Sequence, residues 1–376
     1  MKKSRTESQP KYTQIKDMIK GQVLNGQYPT GGRLPTCREL ALEFEVSYVT
    51  VTNAVKELEK EGYIYSKQGK GMFVKSPDHF GSEVGDRRGS QAGFLVHTQG
   101  DIFQNYFSTV IRELDRLQMM AVPLLPTFFL SRIDAEEENR LICRYASAGF
   151  DTLVIDGNRH FPFRALESWQ HLLRQIIFVF NYAAEIEFPK ANVIVYDNRQ
   201  VGYLAASHML GKGIRRLAVL SFQEQDEIER RGKGSELRTY DLEILDGIQK
   251  AFDEFGVNFH TGCKLARSEY KTDEITGYDD FLQTFLSAGR CGVFTVGDYR
   301  ARAVYRNAER LGLKIGHDVD VIGMYNTSWT ESLSPTLSSV SINEETIAGL
   351  TVKAIEENWQ GRRIVVDPTL VLRQSS

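Results

Sequence analysis

From Ala92 onward the chain repeats one local pattern: a short apolar run, then a stretch of helix length with one apolar face. This alternation limits the possible folds more than any other feature. The runs are Phe94-Leu95-Val96, Thr152-Leu153-Val154-Ile155, Ile176-Ile177-Phe178-Val179-Phe180, Leu217-Ala218-Val219-Leu220, Gly292-Val293-Phe294-Thr295-Val296 and Val319-Asp320-Val321-Ile322-Gly323. Runs this short and continuously apolar read as strands buried on both faces. Strands separated by helices pair in parallel, with the helices covering the sheet. The expected class is α/β with parallel sheets, and small molecules bind such sheets beyond the carboxyl ends of their strands.

The first 75 residues follow a different rule. Tyr12, Ile15, Ile19 and Val23 are spaced by three or four, which predicts a helix ending near Asn25-Gly26. Thr36-Cys37-Arg38-Glu39 is a capping box that opens a second helix with Leu40, Ala41 and Phe44 inward and Arg38 outward. After Glu45-Val46-Ser47 a third helix runs to Lys60, burying Val51, Ala54, Val55 and Leu58 and leaving Tyr48, Val49, Thr52, Asn53 and Lys56 on or near its outer face. Tyr63-Ile64-Tyr65 and Met72-Phe73-Val74 flank Lys67-Gln68-Gly69-Lys70-Gly71, a hairpin with a basic, glycine-rich tip. Three helices and such a wing form a winged helix-turn-helix, which reads duplex DNA. Residues 76–91 carry no apolar period and are expected to be a linker, and the charged stretch Gln223 to Arg238 a mobile loop.

Charge divides the chain at the same place. Residues 1–75 hold 13 Lys/Arg against 8 Asp/Glu, a balance of +5, and the remaining residues hold 33 against 41, a balance of −8. A basic head on an acidic body suits phosphate contact at one end only. No run approaches membrane-span length and Met1 to Pro10 contains no export segment, so a cytoplasmic protein with no membrane partner is expected. Cys37, Cys143, Cys263 and Cys291 are scattered and the seven histidines form no ligand frame, so neither a metal nor another cofactor is proposed. With no nucleophile elbow or P-loop, the chain is not expected to be an enzyme.

The head resembles the winged-helix domain of the GntR family over residues 11–74. The matching stretches include Gly26-Gln27-Tyr28-Pro29, Gly32-Arg33-Leu34-Pro35-Thr36, Arg38-Glu39-Leu40-Ala41, Val46-Ser47, Thr50-Val51, Glu61-Gly62 and Gly69-Lys70-Gly71. By that resemblance Arg38, Tyr48, Thr50, Thr52 and Gly69 stand where the family touches DNA; Arg33, Ser47, Asn53, Lys67 and Lys70 complete the expected surface. Residues 92–376 resemble the effector domain of the LacI/GalR family, which shares the fold of periplasmic sugar-binding proteins. The signatures are Val193-Ile194-Val195-Tyr196-Asp197-Asn198 with Gly202, then Gly297-Asp298, Asp318-Val319, Val321-Ile322-Gly323, Leu333-Ser334-Pro335 and Leu370-Val371-Leu372-Arg373. The combination looks like that of the arabinose-responsive repressors.

The resemblance implies two parallel-sheet lobes around a cleft, expected at about 92–213 with 328–360 and 214–327 with 361–376. It also implies a homodimer on operator DNA and a small sugar or sugar derivative as effector. Candidate cleft residues in one lobe are Thr98, Asp101, Phe103, Tyr106, Asp156, Asn158, Asn181 and Asp197; the other offers Arg238, Tyr270, Asp298 and Tyr325. Phe103 and Tyr270 are equally compatible with packing, and Asp197 and Asp298 with helix capping. Gly297, Tyr325 and Ile244 stand where the family commonly has asparagine, aspartate and arginine. An activator and an exported solute-binding protein are the alternatives; the head and the absence of an export segment argue against the second.

Overall fold

The structure, a computed structural model, describes residues 11–24, 27–28, 32–60, 63–67, 70–74, 91–96, 104–123, 142, 150–157, 163–182, 187–221, 240–267 and 276–376. The expected linker up to Ser90 and the charged loop 223–238 lie outside the described residues, and Gln91, assigned to the linker, opens the first strand of the body.

In the head, α1 (Lys11–Leu24), α2 (Cys37–Glu43) and α3 (Tyr48–Lys60) precede an antiparallel pair, β1 (Ile64–Lys67) and β2 (Gly71–Val74). Ile15, Ile19 and Val23 meet Leu40, Val51, Ala54, Val55 and Leu58 in one core, closed by Ile64, Met72 and Val74. Tyr12, expected on that face, is 39% exposed, so the buried stripe begins at Ile15. The capping box is formed on both sides. Thr36 Oγ1 accepts the Glu39 N–H at 3.3 Å, and Glu39 Oε2 accepts the Thr36 N–H at 2.6 Å. Such a cap contributes about 1 kcal/mol and fixes where α2 starts.

The body contains two six-stranded sheets. The lobe-one sheet runs β13 (Arg363–Val366), β7 (Asn192–Tyr196), β6 (Gln175–Tyr182), β5 (Thr152–Gly157), β3 (Gln91–Leu95), β4 (Met120–Pro123), parallel throughout. The lobe-two sheet runs β14 (Thr369–Val371), β12 (Ser338–Ser341), β11 (Val319–Met324), β10 (Cys291–Thr295), β8 (Leu217–Ser221), β9 (Cys263–Arg267), parallel except for β14. All six apolar runs named from the sequence are strands.

Helices α4 (Gln104–Arg116), α5 (Arg164–Trp169) and α12 (Glu344–Glu356) belong to lobe one, where α4 and α12 pack together and α12 covers β6 and β7. Lobe two holds α6 (Asn198–Gly211), α7 (Tyr240–Glu254), α8 (Phe259–Gly262), α9 (Asp279–Ser287), α10 (Ala301–Arg310) and α11 (Trp329–Ser332).

The expected lobe boundaries are corrected by these pairings. Residues 198–211 belong to lobe two because α6 lies against α7 with no room for side chains. A Cβ on Gly202 would sit 2.0 Å from the Ile244 carbonyl oxygen, and one on Gly247 would sit 1.8 Å from that of Arg199. Lys212 then reaches the buried carboxylate of Asp320 on β11 at 2.5 Å. Strand β12 also lies in lobe two, beside β11, whereas β13 lies in lobe one, beside β7. The chain therefore crosses between lobes after Tyr196, after Ser341 and after Val366.

Candidate functional site

On the head, Arg38 is exposed with no ion pair among the described residues, while the neighbouring Glu39 carboxylate is held by the cap. That cap and the nearby Arg33 charge keep the Glu39 carboxyl below its ordinary range. Tyr48 is 54% exposed at the leading end of α3, and Asn53 is exposed one turn on. Ser47 Oγ lies 2.7 Å from Thr50 Oγ1 and accepts the Thr50 N–H, and the Thr52 hydroxyl donates to the Tyr48 carbonyl at 2.8 Å. The hydroxyls of Ser47, Thr50 and Thr52 are thus engaged in starting the helix. Lys67 and Lys70 are exposed on the wing; Gly69 lies outside the described residues. Arg33 lies beside the wing, pairing with Phe73 through its backbone and placing its guanidinium under Gly71, whose φ of 106° favours glycine.

In the body, Thr98, Asp101, Phe103, Asn158, Arg238 and Tyr270 lie outside the described residues. The three crossings leave from the carboxyl ends of β7, β12 and β13, so those ends of both sheets share one junction. At the lobe-one end, Asn181 Nδ2 donates to Asp156 Oδ1 at 3.4 Å. A register shift at Asp156/Gly157 and a positive φ of 66° at Phe180 mark a bulge there, and a Cβ on Gly157 would meet the Asn181 carbonyl at 2.2 Å. Bulges of this kind re-aim side chains next to sites.

Two candidates are corrected. Tyr106 is fully buried, edge-on to Phe180, with its hydroxyl donating to Thr351 at 3.3 Å; it joins α4 to α12 as a core residue. Asp298 is 1% exposed and accepts from the Thr327 N–H at 2.7 Å, the Thr327 hydroxyl at 3.0 Å and the Ser339 hydroxyl at 2.6 Å. It fastens the end of β10 to the residues after β11 and to β12, and Gly323 leaves the space its carboxylate fills. Burial outweighs these bonds and pushes its carboxyl up to about 6.

Asp197 takes the capping role: its Oδ1 accepts from Arg199 and Gln200 N–H at 2.9 and 3.1 Å. Tyr325, half-buried, and Asn326 carry positive φ values of 93° and 54°. This costly backbone is held by the Tyr325 N–H on Val340 O, by Ser339 and by Arg373, whose Nη2 donates to Asn326 Oδ1 at 2.9 Å.

Sequence reasoning expected two lobes exchanging chain around a cleft but named none of the residues that fasten the crossings. Asn343, at φ 55°, donates through Nδ2 to the Asp367 carbonyl, and its Oδ1 accepts from Thr369, so the second and third crossings are fastened to each other. Next to it Glu344 is buried, accepting from Asn105 Nδ2 at 2.7 Å. Burial pushes its carboxyl up to about 7, the Asn105 bond opposes this and the Glu345 charge adds to it. The signal available was Asn343-Glu344-Glu345, three polar residues immediately before an apolar helix face.

No group of His, Cys, Asp and Glu among the described residues could hold a metal. Burial raises the thiols of Cys263 and Cys291 to about 12 and about 11, which leaves them protonated and unreactive at neutral pH. No described helix is long and apolar enough to cross a membrane.

Residues 11–74 match the family model for bacterial regulatory proteins of the gntR family, and residues 206–376 match that of the periplasmic binding protein-like domain. The chain is 22% identical over 382 residues to the arabinose metabolism transcriptional repressor of Geobacillus stearothermophilus, covering 98% of both. It is 25% identical over 383 residues to the repressor of the same name from Halalkalibacterium halodurans, covering 97% of this chain and 96% of that one. A LacI family transcriptional regulator from Enterococcus faecium, solved with bound ribose, superposes with a TM-score of 0.57 at 20% identity, over 76% of this chain and 98% of that one. Winged head, two-lobed body and the two matches together describe a transcriptional regulator in which a helix-turn-helix of gntR-family type is joined to a periplasmic-binding-protein-like domain.

Proposed function

We propose that the chain is a cytoplasmic, ligand-responsive repressor of a carbohydrate-utilisation operon, active as a homodimer. Each winged helix takes one half-site of a two-fold operator. A small sugar or sugar derivative at the junction of the lobes changes their angle and thereby the spacing of the two heads. The observation that carries this reading is the pairing of an exposed basic head with two sheets whose carboxyl ends meet at three crossings. The full-length relatives named as arabinose metabolism repressors and the ribose-bound structure of like fold support a pentose-sized effector. Asp156 and Asn181 in lobe one and Tyr325 in lobe two are the described cleft candidates; Arg38, Tyr48, Asn53, Lys67 and Lys70 are the described DNA candidates.

The test is a gel shift with the full chain and duplexes recovered by selection, titrated with pentoses, hexoses, deoxysugars and their phosphates. Release of the duplex by one sugar is expected, and binding that no sugar alters would remove the sensing role. Arg38→Ala should weaken duplex binding by about 1–3 kcal/mol, and binding should fall steeply with salt as counterions are displaced. Unchanged affinity would take Arg38 off the interface.

A further inference from the structure

Helix α3 carries a second stripe directly opposite its core. At about 100° per residue, Val49, Asn53, Lys56 and Lys60 fall within about 60° of arc, and the buried Val51, Ala54, Val55 and Leu58 centre on the other side. All four stripe residues are exposed, Val49 by 64% of its surface. The stripe contains no arginine, the side chain that most often reads guanine. The short hydroxyl residues around it, Ser47, Thr50 and Thr52, are engaged within the helix.

Each group in the stripe restricts what it can meet in a major groove. An isopropyl group makes no hydrogen bond, and the one apolar group a base pair presents there is the thymine C5-methyl. Set against guanine or cytosine it would strip water from a base edge and return nothing. The Asn53 amide, a paired donor and acceptor, matches adenine N7 and N6. Lys56 and Lys60 are flexible point charges suited to phosphates flanking the bases. Val49 and Asn53 are one turn apart, about 6 Å along the helix, which corresponds to about two base pairs.

We infer that the exposed Val49–Asn53 face of α3 reads A·T pairs, Val49 against a thymine methyl and Asn53 against an adenine about two base pairs away. The half-site is thereby specified at these two positions through a methyl group and an amide, with no guanine contact from Val49 or Asn53. This rests on the operator-binding reading above, and the experiment separates the two.

Duplexes are selected from a randomised pool with the full chain, and gel shifts are then run with deoxyuridine replacing thymidine, one position at a time. Deoxyuridine removes the C5-methyl and nothing else. At one position the wild-type protein should lose about three- to tenfold in affinity, whereas Val49→Ala, weaker on the thymidine duplex, should lose nothing further. Asn53→Ala should abolish the preference for adenine over 7-deazaadenine at the paired position. Both residues are exposed, so the variants should keep the wild-type melting temperature. Half-sites with a conserved guanine under α3, or binding indifferent to every methyl, would overturn the inference while leaving operator binding intact. Failure to bind any duplex at low salt would overturn both.

Discussion

The two lobes end their sheets in different ways. At the lobe-two end, Asp298 sits out of solvent with a backbone N–H and two hydroxyls on its carboxylate, and the residues after β11 are further held by Arg373. At the lobe-one end, Asp156 is buried as well, on an irregular strand, and among its partners Asn181 donates to it at 3.4 Å. Both aspartates stand next to an apolar run, and from the sequence both are candidates for the cleft. The lesson is that position at a strand end does not make a carboxylate a ligand; what already occupies its lone pairs does. The lobe-two end is braced by three bonds to one carboxylate, and the lobe-one end is shaped by a break in strand register.

The largest test of this contrast is Asp298→Ala. It leaves three buried donors without their acceptor, and the body should lose about 3–5 kcal/mol in denaturant melts. A loss under about 1 kcal/mol would show that the lobe-two end is not braced by this group. The next is pH. A buried carboxyl whose folded pKa is raised holds its proton where the unfolded chain has released it. Its stabilisation is complete below the unfolded value near ~4 and is lost as pH rises through the folded value. For Asp298 that window closes at about 6, and for Glu344 at about 7. The melting temperature of the protein should fall from about pH 4 to about pH 7, and the part of the fall above about pH 6 is the one that Glu344→Gln removes. A flat profile would show that neither carboxyl is protonated in the folded chain. The smallest effect on stability is expected of Asp156→Asn, within about 0.5–1 kcal/mol, yet it should shift the sugar concentration that releases DNA. A variant with unaltered sugar response would remove Asp156 from the cleft.

Much of this architecture could be read from the residues. The helices of the head were legible, Tyr12 apart, because Thr36 and Glu39 announce a helix start and Val51, Ala54, Val55 and Leu58 a buried face at helical spacing. The central strands were legible as apolar runs. Val193-Ile194-Val195-Tyr196 was noted only for its resemblance and not as a strand, although it is an apolar run; other strands that escaped notice lack such runs. Ser338-Ser339-Val340-Ser341 is polar, and Ser338 and Ser339 are buried with Arg373, Ser375, Asp298 and Asn326 as their bonding partners. Cys263 to Arg267 and Arg363 to Val366 are mixed strands at sheet edges. The lobe assignment of α6 could not be read from periodicity, since it depends on two glycines, Gly202 and Gly247, meeting across separate helices. Of the cleft, several candidate residues fall outside the described chain, and Tyr106 could not be told from a ligand platform until Thr351 appeared beside its hydroxyl.

Asn343 has a mechanical consequence. By joining the crossing after β12 to the one after β13, it turns two independent strings into a single ribbon. Two crossings bonded to each other shift together rather than separately, so the hinge between the lobes has fewer independent connections than its three chain passages suggest.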